Sequence, residues 1–264
     1  VAGPTTAQRG ADKRADTPAG PPRIRPEGRR LTGRTRLVLA GVAVVLCAAA
    51  AVWVLYGSSW LRVEHVTTTG TEVLTRAEVE AVAAVPVGSP LVSVDTDAIE
   101  ARLRQKVRRI DSVDVVRSWP HGIGLKVTER KPVLVVEKGG KFIEVDAKGV
   151  RFATVDKRPG HVPLLELTPE GSASLKRYGS DRLLREAVRV AGDLPGKVAR
   201  ETETVRITSY DSVVLELTRG RTVMWGSGER GPVKARVLTA LMKAAPKAGH
   251  FDVSAPTAPA ASQS

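Results

Sequence analysis

From Leu37 to Tyr56 the chain runs twenty residues without a charge, LVLAGVAVVLCAAAAVWVLY. As a helix rising 1.5 Å per residue this stretch reaches about 30 Å, the depth of a bilayer's hydrocarbon. A helix packed on a soluble core would show a polar face at period 3.6, and this one shows none. Trp53, Tyr56 and Trp60 cluster at its C-terminal end, where amphipathic rings favour the headgroup boundary. The pattern predicts a transmembrane helix over 37–56.

Beyond it the pattern shortens. Leu61 to Gly70, LRVEHVTTTG, is β-rich and closed by glycine, and predicts a strand. Thr75 and Glu78 form a T-x-x-E capping box ahead of Val79, Val82 and Ala83, a short helix that stops before Pro86. After Gly88-Ser89-Pro90, Asp95 or Thr96 caps a second helix, with Ile99, Leu103 and Val107 on one face and Arg102, Arg104 and Lys106 on the other. Ile110 to Arg117 and Gly122 to Arg130 alternate as paired strands around the turn Ser118-Trp119-Pro120-His121. The order is strand, helix, helix, strand, strand.

A second unit opens after Pro132. Val133 to Glu137 and KFIEV, ending at Val145, read as a hairpin about Gly139-Gly140, followed by the turn Asp146 to Gly149 and an extended stretch, Val150 to Ala153. Ser180 or Asp181 caps a helix bearing Leu183, Leu184, Ala187, Val188 and Ala191, and three more strands follow within ETVRITSY, VVLELT and TVMWG. A last helix begins near Pro232 with Val233, Val237, Leu238 and Leu241 inward, and His250 to Ser254 closes the unit. The fold class predicted is α+β: a membrane helix, a β-α-α-β-β domain over 61–131, and a mixed β domain with flanking helices over 132–254. Residues 1–36 hold almost no large apolar side chains, and 255–264 read APTAPAASQS, so both are expected to be disordered tails.

Charge adds direction. The formal net charge of +13 points to nucleic acid, membrane headgroups or an acidic polymer, and its distribution decides among them. Residues 1–36 carry nine Lys/Arg against three Asp/Glu, while the part beyond the span carries 32 against 25 with no dense stripe. With only 4% aromatics as well, nucleic-acid binding is not expected. Six arginines lie in the fifteen residues before Leu37 and one, Arg62, in the fifteen after Tyr56, which predicts a cytoplasmic N-terminus. The tail's charge serves orientation, with contact to anionic lipid as the alternative. A cleaved signal would have a shorter apolar run and an A-x-A site after it, so an uncleaved anchor is expected. Val1 and the Arg- and Ala-rich usage fit a GTG start in a high-GC bacterial gene.

Candidate chemistry is sparse. Cys47 is the only cysteine, so no intramolecular disulfide and no cysteine-built metal site can form. His65, His121, His161 and His250 show no ligand spacing. Gly226-Ser227-Gly228-Glu229-Arg230-Gly231 matches G-x-G-x-x-G with Asp252 some twenty residues on. A dinucleotide site needs that motif at the start of a parallel sheet, and here it comes near the end. Pro232 also stands where a phosphate loop would carry lysine. The segment reads as a turn leading into a helix. No cofactor, metal or catalytic activity is expected.

The ordered patterns resemble the FtsQ/DivIB family of bacterial cell-division proteins, in a high-GC Gram-positive form. Val63 to Gly70 is similar to the family's opening strand; Gly88, Leu91, Val94 and Asp95 to its interhelical connection; Val113 to Val116, Arg117, Trp119 and Pro120 to its V-x-R-x-W-P hairpin. Val127, Glu129, Arg130 and Pro132 resemble its domain seam, Ile143 to Gly149 its (V/I)-D-x-x-G hairpin, Gly226, Lys234 and Leu241 its late strand and helix, and Phe251-Asp252-Val253 its closing strand. The resemblance implies a POTRA domain over 61–131 and a non-enzymatic divisome scaffold at the septum. It would link early and late division proteins, recruit small bitopic partners of the FtsB/DivIC and FtsL type, extend to septal peptidoglycan synthase components, and so help control septal wall synthesis. An open partner-accepting edge is expected at His250, Phe251, Asp252, Val253 and Ser254. Trp119, Pro120, Glu129, Arg130 and Lys234 are read as structural. The alternative reading is a POTRA-bearing component of protein translocation or envelope assembly, which would usually show repeated POTRA units.

Overall fold

The computed structural model describes residues 33–167 and 179–263. Helix α1, Gly33–Gly57, includes the uncharged run, so residues 33–36, expected in the basic tail, are its first turn; the rest of that tail lies outside the described residues. At 25 residues it is about 37 Å long. Among the described residues it is the one helix long and apolar enough to cross a membrane, and none of its apolar window is buried by protein. A core helix would be covered; this one presents Leu37, Val45 and Trp53 outward, as a lipid-covered anchor does.

The β-α-α-β-β unit consists of β1 (His65–Thr69), α2 (Arg76–Ala83), α3 (Thr96–Lys106), β2 (Ile110–Ser118) and β3 (Gly122–Glu129). Its sheet order is β1-β3-β2, with β1 parallel and β2 antiparallel to β3. Thr75 and Glu78 complete the capping box at α2, and Asp95 Oδ1 accepts the Ala98 amide at 2.9 Å to start α3. Val79, Ala83, Ile99 and Leu103 thereby face Ile110, Val113, Ile123, Leu125 and Val127 in one apolar core. Arg117 reaches back from β2 to donate to the carbonyls of Leu91 (3.1 Å) and Val94 (2.7 Å), fixing the connection between the helices.

The second unit is a mixed sheet, ordered β12-β11-β10-β9-β8-β7-β4-β5-β6 among the described residues. Its strands are β4 (Pro132–Lys138), β5 (Lys141–Asp146), β6 (Arg151–Val155), β7 (Leu164–Leu167), β8 (Thr202–Ser209), β9 (Ser212–Leu217), β10 (Arg221–Gly226), β11 (His250–Asp252) and β12 (Ala260–Ser262). Helices α4 (Ser180–Asp193), α5 (Gly196–Glu201) and α6 (Gly231–Ala244) bring Leu183, Leu184, Val190, Val198 and Leu238 onto Leu134, Val205, Leu215, Val223, Trp225 and Phe251. The antiparallel hairpins give way to parallel pairing at β4/β7, β7/β8 and β10/β11.

Four expectations are corrected. At α4 the N-cap is Gly179 at φ 74 with no side-chain cap, so Ser180 is already helical and neither Ser180 nor Asp181 does the capping. On α6 Val233 is 37% exposed, and Lys234 is the residue turned inward. The chain after Ala255 is ordered. Pro256, with its fixed φ, occupies the second position of a turn closed by the Ala258 amide on the Ala255 carbonyl at 3.0 Å, and the chain returns as β12. Its composition predicts no strand because Ala-Ala-Ser has little β preference; the unpaired side of β11 supplies the order. β11 is consequently not an open edge.

In the first domain a glycine is demanded by close approach to the backbone. Gly70 sits at φ +83, and a Cβ there would collide with the Val127 carbonyl. Gly139, at φ +61, faces open space. Gly70→Ala is expected to destabilise the detergent-solubilised chain by about 3 kcal/mol, and Gly139→Ala by about 1 kcal/mol, in parallel denaturant titrations.

Candidate functional site

Where the two folded units meet, a charge network forms from residues just after α3 and just after β3. Arg130 Nη1 pairs with Asp146 Oδ2 and, at 3.0 Å, with Asp111 Oδ1, while its Nε donates to the Arg108 carbonyl at 3.1 Å. Arg109 pairs with Glu144 at 2.7 Å, and its guanidinium lies 5.2 Å from the Phe152 ring centroid. Lys148 closes the network on Asp111 at 2.6 Å. Asp146 Oδ1 is already taken by the amides of Lys148 (2.9 Å) and Val150 (2.8 Å), the turn of the D-x-x-G motif. The same carboxylate thus folds its own hairpin and holds the neighbouring domain.

Glu129, grouped with Arg130 by sequence, faces the other way. Its buried carboxylate accepts the amides of Glu72, Val73 and Leu74 at 2.8–3.2 Å, which pins the loop before α2 inside the first domain. Trp119 and Pro120 form the β2/β3 turn with a cis peptide between them, and the Trp119 ring is 53% exposed. The adjoining His121 Nδ1 lies 3.0 Å from the Trp60 carbonyl, tying the turn to the segment after α1.

Lys234 organises the far end of the sheet. Its ammonium, 2% exposed, donates to the carbonyls of Trp225 (2.9 Å) and Ser227 (2.7 Å), which bracket Gly226. Burial pushes its pKa below the ordinary lysine value, and Arg230 adds to this, while Glu229, Glu186 and Asp252 oppose it. Gly226, at φ +74, has no room for a side chain: a Cβ would lie 2.9 Å from that of Ser254. Gly228 donates its amide to Glu186 Oε1 at 2.5 Å, and Gly231 lies against Asp193. These glycines seat a loop on α4. The Gly228 amide, bound to a carboxylate, is not offered to a phosphate.

That loop is the platform from which β11 leaves. The Val253 amide donates to Met224 O at 3.0 Å, Thr222 Oγ1 lies 2.5 Å from His250 Nδ1, and Asp252 Oδ1 accepts the Ser254 amide and hydroxyl. Phe251 and Val253 are buried in the core, leaving His250, Asp252 and Ser254 toward the surface. On its other side β11 is covered: His250, Phe251 and Asp252 pair with Ser262, Ala261 and Ala260. The structure therefore brings Lys234 and the 250–254 segment together and leaves Trp119 and Pro120, Glu129, and Arg130 at three other places. Sequence reasoning missed Asp146, Arg109 and β12. The D-x-x-G turn was the available signal for the first; the other two declare themselves only through distant partners. Among the described residues no group of three His, Cys, Asp or Glu side chains could hold a metal ion.

Comparison with known proteins follows this division. Residues 61–130 match the family model "POTRA domain, FtsQ-type", and 134–254 match "Cell division protein FtsQ/DivIB, C-terminal". The cell division protein FtsQ of Streptomyces venezuelae is 65% identical over 271 residues, covering 100% of both chains. The chain belongs to the FtsQ/DivIB family. FtsQ of Streptomyces griseus is 79% identical over 208 residues, 79% of this chain and 100% of that one. Among solved structures, the major extracytoplasmic domain of DivIB from Geobacillus stearothermophilus covers 44% of this chain and 94% of its own, at 15% identity and a TM-score of 0.33. Membership makes this a cell-division protein and places the sequence among high-GC Gram-positive relatives.

Four outcomes are expected. The hydrogen bond from Lys148 holds the Asp111 carboxyl below the ordinary range; burial works against this, and the charges of Lys148 and Arg130 add to the lowering. The stabilisation is therefore present above the unfolded Asp pKa and disappears as pH falls through the depressed folded value. Arg130→Ala should cost about 3 kcal/mol, since it strands the buried Asp146 oxygen, and Lys148→Met should return the Asp111 titration toward the ordinary range by NMR. Lys234→Met leaves two carbonyls without donors and should cost about 2 kcal/mol in denaturant titration. Because folding lowers the Lys234 pKa, wild-type stability rises with pH just below the ordinary lysine value of 10.5, and Lys234→Met should abolish that rise.

Proposed function

We propose that this chain is a non-catalytic scaffold of the division septum. α1 anchors it in the cell membrane as a single-pass protein with residues before the helix in the cytoplasm, and the POTRA and β domains lie outside. Residues 61–131 and 132–254 serve as the two binding modules, joined by the Arg130–Asp146 seam. It links early and late division proteins by recruiting small bitopic partners of the FtsB/DivIC and FtsL type, and through them it influences the septal peptidoglycan synthase.

The observation that carries this reading is the end of the β domain's sheet. There β11 pairs on one side with β10, whose end is fixed by the buried Lys234 and by Gly226 against Ser254, while the other side pairs only with a three-residue strand. A partner segment in extended form can add to such an end, with main-chain groups supplying affinity and pockets between side chains supplying choice. His250 to Ser254 form the proposed interface, with Lys234 behind it as support. Trp119 and Pro120 shape a hairpin tip, and Glu129 and Arg130 hold domain geometry.

Depletion of the protein together with imaging of a fluorescent fusion tests the reading. The fusion is expected as a band at forming septa, and depleted cells should fail to complete them. An even distribution around the membrane, or normal septa under full depletion, would sink it.

A further inference from the structure

We propose that the C-terminal segment Ala260–Ser262 is a built-in occupant of the strand-accepting side of β11, and that it must leave before a partner strand can pair there. This inference rests on the scaffold reading above and adds a means of regulation to the same site.

β12 is held in place by few contacts. Its three residues pair antiparallel with His250, Phe251 and Asp252, and the Gly249 amide donates to the Ser262 carbonyl at 3.1 Å. All three β12 residues are exposed, so their side chains add no buried apolar area. Ala, Ala and Ser are also poor strand formers beside the β-branched and aromatic residues that usually fill such positions. The pairing is held by main-chain bonds alone. A longer segment with bulky alternate side chains makes the same bonds and gains burial, so it competes well.

The return loop shows why the weak strand is nevertheless occupied. Residues 253–259 connect β11 to β12, with Pro256 buried and the Ala255–Ala258 turn closed. Such a short tether presents the tail to β11 at an effective concentration in the millimolar range. Pro259, just before β12, has no amide to donate, so the strand cannot extend backward along the loop. The tail is therefore long enough to cover β11 and too short and too small to lock it. An uncovered β11 would be an adhesive edge throughout the life of the protein before a partner arrives.

The test uses the full chain in detergent and a chain ending at Ser254, with a synthetic peptide of residues 255–264 as the probe. Both chains keep Phe251 and Val253, and their thermal melts are compared first. The peptide should bind the shortened chain, read as NMR shifts of the 250–254 amides, and bind the full chain about tenfold more weakly because the tethered copy competes. A second variant carries Cys47→Ser, His250→Cys and Ser262→Cys. Oxidised, it should lose the peptide binding that the same variant shows when reduced. Equal binding to both chains, no binding to a folded shortened chain, or binding untouched by oxidation would overturn the proposal. None of these outcomes bears on septal localisation, so the scaffold reading stands or falls separately.

Discussion

Asp146 divides its carboxylate between two tasks, and the relation of the two domains depends on that division. One oxygen takes two amides of its own turn, and the other takes Arg130, the first residue beyond β3. Hydrogen bonds to an ionised carboxylate are about twice as strong as neutral ones, and the turn amides hold the acceptor in place for the guanidinium. Arg130 in turn spends its remaining donors on Asp111 and the Arg108 carbonyl, so β2, β3 and the β4–β5 hairpin share one network. Loss of this carboxylate would loosen a turn and a domain junction together.

The other end of the β domain is built on the same logic with opposite charge. Lys234 is a cation placed among carbonyls, and its two acceptors fix the backbone on either side of Gly226. Because Gly226 has no side chain, the residue after Val253 can rest against it, and β11 leaves the core at a set position. A buried charge costs desolvation, seen here in the lowered lysine pKa, and the return is a loop with one geometry. Each domain boundary in this protein is thus set by a polar contact, while the apolar clusters supply bulk stability.

How legible was this in the sequence? The membrane helix was, because a charge-free run of twenty residues has few other uses. The first domain was, because its helix starts are written locally in Thr75, Glu78 and Asp95, within three residues of the amides they cap. Contacts formed across the chain were not. Glu129 binds amides up to 57 residues earlier, and nothing near Glu129 announces this. The inward turn of Lys234 contradicts a helix pattern in which Val233 looks like the better core residue; the carbonyls that select lysine come from β10 and the loop after it. β7 was hidden for a similar reason: four residues after Pro163 make a strand only because β4 and β8 lie on either side.

The C-terminal tail is the clearest case of order imposed from outside a segment. Its prolines and small residues argue against a strand, and those same features suit it to a temporary one. A sheet that must accept a foreign strand cannot protect its edge with charge, bulges or a packed helix, since each would also exclude the partner. It can be covered by its own chain, provided the cover buries little and is tethered closely. Ala260–Ser262 meets both conditions, with exposed side chains and a seven-residue return from β11. Stronger residues in these positions would make a better strand and a worse cover, because a partner would then have to displace buried side chains as well as main-chain bonds. On the proposed reading, poor strand propensity at this point is what allows the edge to be both protected and usable.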